Sequence, residues 1–114
     1  MKALPKFLFL LASFVALSCS SGTDADPAPE HSVVMSRMAF SPAIMTVSKG
    51  ETVTWTNEDV IVHTATADNT SWNTSDVQGG SAKSITFTAS GTYQYHCIYH
   101  QAMGMTGTII VTDN

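Results

Sequence analysis

Three side chains near the C-terminal end put metal-binding chemistry into one short stretch. Tyr95 to Ile109 reads Y-H-C-I-Y-H-Q-A-M-G-M-T-G-T-I, and within it Cys97, His100 and Met105 offer a thiolate, an imidazole and a thioether. A soft sulfur beside a nitrogen, with a weak thioether, favours copper over zinc, calcium or magnesium. Structural zinc takes more thiolates or histidines and no methionine. A cysteine nucleophile needs a histidine brought to it by a separate element, and leaves the thioether without a role. A binuclear copper centre requires a second cysteine in the loop, and there is none. The set is one ligand short, and His63, far upstream, is the candidate that completes it. Two imidazoles, a thiolate and a long axial thioether make a blue-copper site. Such a site has no open coordination position, so it suits outer-sphere electron transfer and not catalysis.

The elements that must hold these residues read as β throughout. No window of helix length carries the i, i+3, i+4, i+7 apolar pattern, whereas short alternating runs recur between turn signals. Residues 33–38 and 43–47 are the first two strand candidates, separated by Phe40-Ser41-Pro42. After the Lys49-Gly50 turn, residues 52–56 alternate cleanly, with Val53 and Trp55 on one face. A short strand resumes at 63–67, and residues 68–80 form a long polar surface loop. Residues 84–88 alternate again with Ile85 and Phe87 inward, and 107–111 close the sheet. Tyr93, Tyr95 and Cys97 share one parity, so a single strand face delivers Cys97 to the interior. His96 then points the other way, towards the surface. About seven to eight short strands at this spacing predict an all-β sandwich or small barrel. Trp55 is expected in the core, Trp72 over a sheet edge or exposed, His31 in solvent, and Glu58 and Asp59 in a solvated turn.

The chain has 114 residues, enough for one folded domain. Lys2 and Lys6 precede an apolar run from Phe7 to Leu17 that is too short to span a bilayer permanently, so residues 1–18 read as a signal peptide. Cys19, followed by Ser20, Ser21 and Gly22, resembles the lipid-attachment site of bacterial lipoproteins. The expected localisation is therefore export to the periplasm, with Cys19 as a candidate membrane tether that crosses nothing. Residues 19–30 are rich in Ser, Asp, Pro and Ala and predict a flexible acidic linker, leaving 31–114 as the domain. A disulfide between Cys19 and Cys97 is not expected, because it consumes the thiolate. Without residues 1–18, three basic residues (Arg37, Lys49, Lys83) face nine acidic ones. That balance argues against nucleic acid and permits a basic protein partner. The domain is expected to be a monomer.

On these residues the chain resembles the cupredoxins, the blue copper proteins that include plastocyanin, pseudoazurin, amicyanin and halocyanin. The segment G-T-Y-Q-Y-H-C-I-Y-H-Q-A-M-G-M-T-G-T-I-I-V looks like their C-terminal ligand segment. W-T-N-E-D-V-I-V-H-T-A-T resembles their first histidine segment, and F-S-P-A-I-M-T-V-S-K-G-E-T-V-T-W their N-terminal strands. The resemblance spans residues 33–112 and implies a Greek-key sandwich holding one type 1 copper. It carries the first histidine ligand to His63, the thiolate to Cys97 and the second histidine to His100. For the axial ligand, Met103 fits the shorter amicyanin-like spacing and Met105 the longer plastocyanin-like one. The family's M-x-G-x-hydrophobic exit matches Met105-Thr106-Gly107-Thr108-Ile109, which selects Met105 and leaves Met103 as an apolar rim residue. Two positions depart from the pattern: Tyr99 precedes the second histidine and Val62 the first, where the family often has proline. Both bear on loop rigidity and reduction potential, not on the ligand set. Thr64, next to His63, is placed to hydrogen-bond across to the ligand loop. The implied function is a single-electron shuttle between redox proteins through the edge of His100. The alternatives are an envelope copper-binding or copper-delivery protein and a metal-free adhesion module.

Overall fold

Alternation in the sequence becomes two four-stranded sheets in a computed structural model that describes residues 31–114. The expected signal peptide 1–18, the linker 19–30 and Cys19 lie outside the described residues. The strands are β1 (Ser32–Ser36), β2 (Ala39–Ser41), β3 (Ile44–Ser48), β4 (Thr52–Asn57), β5 (Thr66–Ala67), β6 (Ala82–Thr86), β7 (Gly91–His96) and β8 (Thr106–Thr112). One sheet has the order β2-β1-β4-β6 and the other β3-β8-β7-β5. The expected strands are all present, displaced by a residue or two at their ends. Two differences are larger. Phe40 belongs to a strand of its own, β2, and the 63–67 run forms a strand only at Thr66–Ala67. No α-helix occurs among the described residues, and none of their helices is long and apolar enough to cross a membrane.

Burial follows the alternation strand by strand. Val33 and Met35 of β1, Val53 and Trp55 of β4, Tyr95 of β7, and Ile109 and Val111 of β8 face inward and close the space between the sheets. Aromatic rings fill its middle. Trp55 meets Tyr95 edge-on at 5.5 Å, and its indole N–H donates to the Tyr95 hydroxyl at 3.2 Å. Burial pushes the Tyr95 hydroxyl up to about 12, opposed by that indole hydrogen bond. Trp72, reaching in from the long loop, stacks on Trp55 at 5.3 Å and meets Phe87 edge-on at 5.2 Å, so it covers the open side of the sandwich.

Residues 68–80 are not simply a surface loop. Thr66 bridges Asn73, and His63 bridges Val77, with both members of the second pair fully buried. This segment acts as a fragmentary strand along the end of the sandwich where β4 and β7 terminate. His31 is likewise not free in solvent: it abuts β1, and its Nε2 lies 3.1 Å from a Glu51 carboxylate oxygen.

β7 and β8 pair antiparallel with Tyr95 opposite Gly107. The Tyr95 ring lies across that glycine, where a Cβ would meet ring carbon at 2.5 Å and the hydroxyl at 2.6 Å. The glycine of the M-x-G exit is therefore required by an aromatic ring folded over its cross-strand neighbour. Replacing Gly107 by alanine forces the core tyrosine aside, and the expected loss of stability is about 1–3 kcal/mol, read from urea unfolding of the metal-free protein.

Candidate metal centre

β7 runs with alternating burial to His96 and then ends, leaving Cys97 one step beyond the pairing with its side chain still inward and fully enclosed. The chain next makes a tight turn, the His100 amide donating to the Cys97 carbonyl at 3.1 Å. A single 3₁₀ turn, Gln101–Met103, follows and stops at Gly104, whose φ of 86° is one that glycine adopts without strain. That stop folds Met105 back beneath the turn, where its carbonyl accepts from the Cys97 amide at 3.1 Å. Met105 is 0% exposed and Met103 is 64% exposed. The two methionines are thus sorted by one glycine: one enters the core beside Cys97, the other lies on the rim.

The first histidine arrives from the opposite sheet. Asn57, buried at the end of β4, donates from its side-chain amide to the carbonyls of Ile61 at 2.7 Å and Val77 at 2.8 Å. Its side-chain oxygen accepts from the Asp59 amide at 2.9 Å. This one side chain shapes the turn that carries the chain to His63. Cys97 Sγ then lies 3.7 Å from His63 Nδ1 and 3.4 Å from His100 Nδ1. All three donor atoms fall within 4.8 Å of one another. The two imidazoles meet edge-on at 4.9 Å. His63 is fully buried and His100 half-buried.

Thr64 fastens the two segments together, as the sequence suggests. Its amide N–H points at Cys97 Sγ at 3.4 Å, and its hydroxyl oxygen accepts from the Ile98 amide at 3.0 Å. The hydroxyl proton goes on to Thr66 Oγ1 at 2.9 Å, because Thr66 in turn donates to Asn73 Oδ1 at 2.9 Å. His96 points out of the sandwich as expected, with its Nδ1 2.6 Å from Asp68 Oδ1. Cys97 is a free, buried thiol.

Asp59 departs from the solvated turn expected of it. Its carboxylate lies 2.7 Å from His63 Nε2, and it also accepts from the amides of Arg37 at 2.8 Å and Met38 at 3.1 Å. A carboxylate there holds the proton on Nε2 and leaves the Nδ1 lone pair facing Cys97. Those two amides form the β1–β2 turn, where Arg37 and Met38 adopt φ of 54° and 57°, a strained conformation for residues with a Cβ. Asp59 thus supports a strained hairpin and a histidine at once. Nothing in the sequence pairs residue 59 with 37 and 38. The i, i+4 spacing to His63 is the only signal that is legible beforehand.

The arrangement defines a class: an eight-stranded sandwich with one buried cysteine sulfur and two imidazoles converging at one end. Residues 29–112 match the model of the copper binding proteins of the plastocyanin/azurin family. Plastocyanin from Scenedesmus fuscus is 36% identical over 85 residues, 65% of this chain and 87% of that protein. Chloroplastic plastocyanin from Chlamydomonas reinhardtii is 31% identical over 110 residues, 87% of this chain and 76% of that one. Among solved structures, an oxidised methionine-to-leucine variant of amicyanin superposes with a TM-score of 0.66 at 29% identity, covering 77% of this chain and 85% of its own. A purple cupredoxin from Nitrosopumilus maritimus shares the fold with a TM-score of 0.65 at 23% identity, covering 73% of this chain and all of its own. The chain belongs to the plastocyanin/azurin family of copper-binding proteins, the cupredoxins.

The Asp59 carboxyl is held below its ordinary range, first by the His63 hydrogen bond and then by the Arg37 amide. A folded value below the unfolded one gives stability that is present above the unfolded carboxylate pKa and lost as pH falls through the folded value. The metal-free protein is therefore expected to weaken below about pH 4, with a shallower acid slope in Asp59→Asn. Denaturant midpoints measured from pH 6 downward check this. In the same variant, copper affinity is expected to fall by about 10–100-fold, as when other histidine-orienting carboxylates are removed.

Proposed function

We propose that this chain is a type 1 copper protein that carries single electrons between redox proteins of the bacterial envelope, with His63, Cys97 and His100 as equatorial ligands and Met105 as the axial one. The observation that carries the reading is the enclosed Cys97 sulfur, faced by two imidazole Nδ1 atoms at 3.4 and 3.7 Å and by the Thr64 N–H. One thiolate with two imidazoles is the donor set copper takes in such centres, and Met105, whose carbonyl accepts from the Cys97 amide, is fully buried. Bound copper would supply Cu(II)/Cu(I) cycling.

The protein's own part is to hold these groups still and dry. Asp59 sets the tautomer of His63, Thr64 donates to the sulfur, and Tyr95, Trp55 and Phe40 keep water from the side facing the core. His100 is the one member of the cluster that reaches solvent. The exposed side chains of Ile98, Tyr99 and Met103 surround it in the chain. An apolar rim of this kind suits brief contact with a second redox protein, and the surplus of acidic residues favours a partner with a basic surface. Residues 1–18 as a signal peptide, Cys19 as a lipid-bearing tether, 19–30 as a spacer and a monomeric domain at 31–114 complete the reading.

The copper-loaded protein is expected to show an intense visible thiolate-to-copper band that reductant bleaches and oxidant restores. Cys97→Ser should abolish it, while Met103→Leu should leave its position and strength unchanged. A colourless complex that takes up only Cu(I) and surrenders it readily would point instead to copper delivery. Mass measurement of the mature N-terminus decides whether Cys19 is acylated.

A further inference from the structure

The residue before the second histidine is Tyr99, in a position where the resemblance leads one to expect proline. Its hydroxyl donates to Asp76 Oδ1 at 2.7 Å. Tyr99 is half-exposed, and its ring stands 6.4 Å from the His100 ring at 67°. Asp76 belongs to the long loop, and the next residue, Val77, exchanges both backbone hydrogen bonds with His63, at 3.1 and 2.7 Å. Just before it, Thr74 Oγ1 accepts from the Ala65 amide at 2.9 Å, and Asn73 Oδ1 accepts from Thr66 Oγ1 at 2.9 Å. The Thr74 amide also donates to the Ala65 carbonyl at 2.9 Å, so residues 73–77 make five hydrogen bonds to the segment from His63 to Thr66 and one to the loop carrying His100.

That last connection is the informative one. The loop from Ile98 to Gly104 has few other restraints outside itself. Ile98 bonds to Thr64, the His100 amide bonds back to the Cys97 carbonyl, and the Met103 and Gly104 amides bond only within the loop. Proline restrains such a loop by fixing φ at its own position. A hydroxyl-to-carboxylate hydrogen bond restrains it from outside, by tying the neighbouring side chain to a segment already locked against His63. The contact is short and charge-assisted, and the same Asp76 hydrogen bond is the first cause raising the Tyr99 phenol above its ordinary value.

We propose that residues 73–77 form a splint between the two histidine-bearing segments, closed by the Tyr99–Asp76 hydrogen bond, and that Tyr99 is a positioning residue for His100. The splint fixes the spacing of the two imidazoles through protein contacts alone, before any metal arrives. It takes over at residue 99 the restraint that a proline ring supplies in the family pattern. Its bearing on electron transfer rests on the copper reading above. Its bearing on loop order does not.

Tyr99→Phe removes only the hydroxyl, and Asp76→Ala only its acceptor. Both sites are exposed, so each variant is expected to keep the urea midpoint of the parent. In the metal-free, full-length protein, amide hydrogen exchange at His100, Met103 and Gly104 should rise severalfold in either variant. Amides of β4 and β8 should stay at parental rates. The double variant should be no faster than the singles, because the two residues make one contact. In the copper-loaded protein, both variants should shift the reduction potential in the same direction and slow electron self-exchange. Parental exchange rates at 100–104 in both variants would overturn the splint, as would effects of the two substitutions that add. A uniform rise across all strands would also overturn it, by showing a general loss of stability in place of a local release. If the parent shows no visible thiolate band, the copper reading fails, while the metal-free exchange rates still decide the splint.

Discussion

A sulfur that must be ionised to bind metal, yet is sealed from water, is the constraint around which this molecule is arranged. Cys97 is 0% exposed. Burying a charge without partners is expensive, so the surroundings must offer donors or a cation. The Thr64 amide supplies a donor, and the two imidazoles flank the remaining approach. Bringing Thr64 there requires the first histidine segment to cross from the end of β4 to the end of β7. β5, only two residues long, exists to make that crossing: Thr66 pairs with His96 and Ala67 with Tyr95, immediately before Cys97.

Rigidity at the site is drawn from both sheets. β1 and β2 contribute through their turn, whose strained Arg37 and Met38 are held by the carboxylate that also orients His63. β7 and β8 contribute through the Tyr95 ring lying over Gly107, which fixes where the chain re-enters the sheet after Met105. The aromatic cluster of Trp55, Trp72, Tyr95 and Phe87 then joins the sheets beneath. A centre that alternates between two charges gains from such a frame, since few groups reorganise when the charge changes. The same frame leaves only His100 within reach of another molecule.

Much of this was legible in the amino-acid sequence, and the reasons differ by element. Strands β4 and β7 declared themselves by parity, and parity alone sent Trp55, Tyr95 and Cys97 inward and His96 outward. The three-residue strand β2 is too short to show a period, and Phe40 looked like part of a connection. The polar run at 68–80 hid two bridges, because backbone pairing leaves no mark on a stretch of Asn, Thr and Ser. Asp59 and Asn57 were missed for a related reason. Their work is done through hydrogen bonds to residues up to 22 positions away in sequence, and a single sequence carries no trace of such pairs. The cluster of His63, Cys97 and His100 was recoverable because ligand chemistry restricts residue type. The sorting of Met103 from Met105 became physical only with the stop at Gly104.

What unites these features is a donor set that the protein brings together without metal. X-ray absorption at the copper edge, recorded on oxidised and reduced forms of the loaded protein, addresses that most directly. One short copper–sulfur and two copper–nitrogen contacts that persist through reduction, lengthening only slightly, are the predicted result. Loss of a nitrogen or of the short sulfur contact on reduction, or a centre with no short sulfur contact in either form, would contradict the account.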